Sequence, residues 1–86
     1  MSSSKEIQAV AQATSVAAIG QIVRSARRRS GMDQATAAGL AGVGVRFLGD
    51  LERGKPTVRL GLALQVLDRL GLHLWIAPRG WRPRGS

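Results

Sequence analysis

The chain has 86 residues, thirteen Lys and Arg against five Asp and Glu, a formal net charge of +8, one histidine and no cysteine. This excludes disulfide staples, thiolate zinc sites and cysteine nucleophiles, leaves metal or acid–base chemistry almost no groups to use, and directs attention to polyanionic partners. A chain this short forms one small domain burying about 60% of its unfolded surface, so a second subunit would add needed stability.

Residues 1–14, MSSSKEIQAVAQAT, hold few large side chains. Ile7, Val10, Ala11 and Thr14 share only a weak helical face, and the segment reads as a flexible arm. Its opening lacks a basic region followed by an apolar core, so no secretory signal is expected and the protein is placed in the cytoplasm, at the nucleoid.

A folded domain is expected over 15–77. Ser15 is an N-cap residue, and Ile19, Ile22, Val23 and Ala26 recur at amphipathic helix spacing up to about Arg29, before Gly31. Asp33 caps a short second helix, Gln34 to Ala41, built almost wholly of Ala, Gly and Leu. Gly42 supplies the turn, and a third helix runs from Val45 to about Arg53, stopped by Gly54 and Pro56.

Leu60, Ala63, Leu64, Leu67 and Leu70 predict the core face of a fourth helix, with Gly71 as its stop. The period then changes. Leu72, Leu74 and Ile76 alternate with His73, Trp75 and Ala77, which predicts a short strand ended by Pro78. A lone strand has no partner within the chain, so the economical arrangement is a homodimer in which Leu72, Leu74, Trp75 and Ile76 of two copies form an antiparallel ribbon; the alternative is an extended tail packed on its own helices. The apolar run 60–77 carries Asp68, Arg69 and His73 near its middle and is not expected to span a membrane. Residues 78–86 form a basic tail containing Trp81.

Two phosphate-loop patterns fail on context. Gly49, Gly54 and Lys55 have the G-x-x-x-x-G-K spacing, but Pro56 replaces the hydroxyl needed for magnesium and no strand precedes it; Gly42-Val43-Gly44 is a turn between helices. The better reading of Gln34 to Arg53 is two short helices about a glycine turn, the unit that lays its second helix in the major groove of DNA. With Leu48 and Leu51 inward, Val45, Arg46, Gly49 and Asp50 fall on the opposite, base-reading face. Arg46 can bond guanine O6 and N7, and Val45 can pack on a thymine methyl. Gly49 permits close approach, and Gly44 places the helix amides near phosphate. Asp50 either accepts from cytosine N4 or forms a local ion pair with Arg46 or Arg53.

The stretch 19–55, IGQIVRSARRRSGMDQATAAGLAGVGVRFLGDLERGK, resembles the Xre or Cro/cI-type helix-turn-helix pattern, and the continuation PTVRLGLALQVLDRLGLHLWI resembles HipB-type antitoxins. The resemblance implies a mostly α fold of four to five helices, with a short C-terminal β-strand pairing across a homodimer. It further implies an operator-binding repressor that holds a HipA-like serine/threonine kinase toxin, with no enzymatic activity and no cofactor of its own. It maps a structural ion pair onto Arg27 and Glu52, and a phosphate or base contact onto Gln34. It makes Trp81 a toxin-binding anchor in the tail, while charge alone assigns Arg28, Arg29, Lys55 and Arg59 either to DNA-backbone contacts or to a solvated basic face. A repressor without a toxin, or a basic adaptor for protein or RNA, are the alternatives.

Overall fold

The computed structural model describes residues 12–81, and over that span the protein is mostly helical: α1 Val16–Arg29, α2 Gln34–Ala41, α3 Val45–Glu52 and α4 Leu60–Arg69. Of the expected N-terminal arm only 12–14 are described, and of the C-terminal tail only 78–81; the rest of both lies outside the described residues.

Local chemistry sets the helix boundaries. The Ser15 hydroxyl accepts from the Ala18 amide at 3.0 Å, and the Asp33 carboxylate accepts from the Thr36 amide at 2.7 Å, each satisfying a first-turn donor that the helix leaves open. All four helices end in the same closure. The amide two residues past the last turn returns to a carbonyl five positions back: Met32 to Arg27, Val43 to Ala38, Lys55 to Asp50 and Leu72 to Leu67, at 3.1, 3.0, 3.0 and 2.8 Å. In the closure after α2, Gly42 takes φ 72°, where a side chain would be strained, and so turns the chain directly into α3.

Helix α1 packs against α3, and α2 packs against both α3 and α4. Leu48 and Leu51 of α3, Val23 of α1 and Val66 of α4 are fully enclosed, with Ala37, Ala38 and Ala41 of α2 filling the space between them. The small side chains of α2 let its backbone lie close to its neighbours. Gln65 of α4 adds a polar tie, its Nε2 donating to the Ala41 carbonyl at 2.8 Å, which satisfies an acceptor that the end of α2 leaves open.

The α4 core face differs from the sequence expectation. Ala63, Val66 and Leu67 are buried, whereas Leu60 and Leu64 are exposed. The helix is apolar around most of its circumference, so periodicity defines a stripe but not which part of it meets α2. The strand expected over 72–77 is also absent from the described residues: the segment carries no ladder and belongs to no sheet. No strand occurs among the described residues to pair with it. Leu72 packs against the core, while Leu74, Trp75 and Ile76 project outward, the last 92% exposed.

Candidate nucleic-acid interface

The helix-turn-helix unit is held by one polar cluster. Arg27 reaches from the last turn of α1 and donates through Nε and Nη2 to both Glu52 oxygens, at 2.7 and 2.9 Å, where α3 ends. Its Nη1 donates to the Met32 carbonyl at 2.9 Å, so a single guanidinium ties the α1–α2 turn to α3. Both side chains are buried, and among the described residues no buried side-chain polar atom lacks a partner. A buried ion pair is tolerable only when its hydrogen bonds are complete in this way.

Burial opposes ionisation of Glu52, but the hydrogen bonds from Arg27 and Gln34 and the nearby positive charge outweigh it, so its carboxyl is held below the usual range. The same bond raises the Arg27 pKa still further above neutrality. A carboxylate depressed by folding stabilises the protein fully above its unfolded pKa and loses that contribution as pH falls toward its folded value. Asp33, lowered by the Thr36 amide at its cap, acts in the same direction. Thermal stability is therefore expected to be flat near neutrality and to fall below about pH 4.3. Melting curves across pH 2–7 check this, and Glu52→Gln should flatten the acid limb.

Gln34 is half-buried at the start of α2, and its Nε2 donates to Glu52 Oε1 at 3.1 Å, making α2 the third helix joined to the cluster. Glu52 has an acceptor facing the start of α2, and a half-buried amide is better satisfied there than by water alone.

The outer side of α3 begins at Gly44, an N-cap with no side chain to bond the first-turn amides. Those amides and the helix dipole favour an anion at this end. Val45 and Arg46 follow directly and are exposed. Gly49 is not the open notch expected of a base-reading position. It is buried, and a Cβ there would lie 3.1 Å from the Arg53 guanidinium, which folds back over it. Asp50 is engaged locally. Arg53 Nη2 donates to Asp50 Oδ1, and Lys55 Nζ stands 3.7 Å from Oδ2; Arg46, the other candidate partner, makes no ion pair with it.

Arg28, Arg29, Lys55 and Arg59 are exposed, as backbone contacts require, and Arg24 and Arg53 add to this exposed positive charge. Trp81 is half exposed at the end of the described chain, its amide donating to the Pro78 carbonyl at 3.1 Å. Sequence reasoning named Arg53 only as one possible partner of Asp50, and it did not single out Gln65 or Gly20. The Asp50–Arg53 pair follows their i, i+3 spacing. The other two depend on contacts between distant segments. Among the described residues no cluster of three potential metal ligands occurs, and no helix is long and apolar enough to cross a membrane.

Two short helices joined through a left-handed glycine, the second opening on an uncapped end with an exposed arginine, define a helix-turn-helix DNA-binding domain. No protein-family model matches the chain. It is 48% identical over 64 residues to an uncharacterized HTH-type transcriptional regulator, y4mF, of Sinorhizobium fredii, a match spanning 74% of this chain and 84% of that protein. The chain belongs to the HTH-type transcriptional regulators.

Proposed function

We propose that this regulator is a homodimeric repressor that lays α3 of each subunit in successive major-groove half-sites of a palindromic operator, about one helical turn apart. The observation that carries the reading is the α3 surface: an open helix N-terminus and an exposed Val45–Arg46 pair beside a buried, braced core. Arg46 and Val45 read base edges, Gly44 presents amides to phosphate, and Arg28, Arg29, Lys55 and Arg59 hold the DNA backbone. The exposed run Leu74, Trp75 and Ile76 supports the dimer, because three large apolar side chains on a backbone with no ladder are costly in water and a twofold ribbon would satisfy both.

The finer reading is that the repressor is the antitoxin of a type II toxin–antitoxin system and binds a HipA-like serine/threonine kinase toxin, with Trp81 as an anchor. It is supported by the resemblance of 56–76 to HipB-type antitoxins and by the exposure of Trp81. It acts by stoichiometric binding, without chemistry of its own.

Footprinting on the promoter of its own gene tests the repressor: protection of a short inverted repeat is expected, and equal, salt-sensitive binding to any duplex or to RNA would replace it with the adaptor reading. Co-purification from the native host tests the antitoxin, and a repressor recovered with no kinase-like protein would leave a regulator without a toxin. Arg46→Ala should cost about 1–3 kcal/mol of discrimination at one base pair per half-site, measured by anisotropy on operator variants. Uniform weakening on all sequences would move Arg46 to phosphate.

A further inference from the structure

The geometry points to Arg53, at the end of α3, as a specificity-determining DNA contact, with Asp50 and Gly49 as the residues that position it. This rests on the repressor reading above and deepens it. Arg53 lies outside the four base-reading positions expected from the α3 face, yet its guanidinium covers the Gly49–Asp50 part of that face. It folds back over Gly49, where a Cβ would come within 3.1 Å of Nη1, so a larger residue there would crowd the guanidinium and shift it by a few tenths of an ångström or more. Asp50 Oδ1 accepts from Nη2 and holds the planar group in place.

The burial pattern supports this division of roles. The Asp50 side chain is 20% exposed and that of Arg53 69% exposed, so the carboxylate is set against the helix and the guanidinium is presented beyond it. The second Asp50 oxygen faces Lys55 at 3.7 Å. With a cation at each oxygen, the carboxylate is neutralised in place and does not repel a phosphate as a bare one would. An isolated surface pair of this kind adds little stability. Its effect is to restrict rotamers: a long side chain held in its bound geometry loses less freedom when it meets DNA, and the planar fork retains donors for guanine O6 and N7 or for a phosphate.

The test starts by selecting the preferred duplex from a random-sequence pool with the full chain, then measures binding to that duplex and to a scrambled one over a range of salt. Arg53→Ala should reduce the preference for the selected duplex by about tenfold, the lower part of the range for a well-formed arginine contact. Arg53→Lys should lose the same preference while keeping the salt slope, because it retains the charge but not the fork. Asp50→Ala should lower the preference comparably in the parent protein, but change it by less than about twofold once Arg53 is alanine. Gly49→Ala crowds only the movable end of Arg53, so it should lower the preference by less than Arg53→Ala does and leave the melting temperature unlowered.

Three results would overturn the proposal. One is an Asp50→Ala effect that persists undiminished in the Arg53→Ala background, which would make Asp50 itself the reader. Another is full rescue by Arg53→Lys. The third is a preference that Arg53→Ala leaves intact. If the pool yields no preferred duplex at all, the repressor reading fails and this inference falls with it, a result distinct from a selected duplex that ignores Arg53.

Discussion

Arg27→Ala is expected to destabilise the protein by about 3–5 kcal/mol, because it leaves the Glu52 carboxylate buried with only the Gln34 amide and removes the donor to the Met32 carbonyl. For a domain of this size each kcal/mol shifts the melting temperature by about 4–8 °C, so the midpoint should fall by roughly 12 °C or more. Total stabilities of about 5–15 kcal/mol leave little margin, and DNA binding should fail together with the fold. Replacing the pair together, Arg27→Met with Glu52→Leu, should recover much of the loss, since two apolar side chains need no charge compensation. Unchanged melting of Arg27→Ala would remove the cluster from its structural role.

Gly20→Ala should be destabilising although alanine is the better helix former. A Cβ at this position in α1 would sit 2.1 Å from the Leu51 carbonyl oxygen and 3.0 Å from that of Glu52, both backbone atoms of α3 that have no rotamer to escape into. The helix-propensity gain is about 1 kcal/mol. Against it stands an overpacking cost of about 1–3 kcal/mol or more, because α1 and α3 must separate at the contact that buries Leu51 and seats the Arg27–Glu52 pair. Gly39→Ala is the matched control. That glycine lies in α2, and a Cβ added to it would meet nothing within 4 Å, so the propensity gain should appear there as added stability. Melting curves of the two variants should move in opposite directions, and movement in the same direction would count against the close approach of α1 and α3.

The helices were readable because their signals are short-range. Ser15 and Asp33 bond amides three residues on, and glycines follow each helix where the returning amide closes the last turn. Leu48 and Leu51 could be placed inward by spacing alone, since α3 has a polar side to oppose them. The same method misplaced Leu60 and Leu64, because α4 is apolar nearly all round and only contact with α2 selects its buried face. The alternation over 72–77 marks a segment able to pair, but a strand is a relation between two segments and the described chain supplies only one.

At the site the division is similar. The excess of positive charge, the position of the turn and the exposure of Arg46 follow from residue type and local order along the chain. The partners of Gln34, Asp50 and Gly49 do not. Gln34 donates to Glu52, eighteen residues on, and the Arg53 guanidinium lies over Gly49, neither of which spacing along the chain announces. The amino-acid sequence alone determined the helices and the polyanion preference, because caps, glycine stops and net charge act within a turn or over the whole surface. Tertiary structure decided which side chains remain free for DNA, because a donor or acceptor takes the best partner that packing brings within about 3 Å, and that partner lies in another helix.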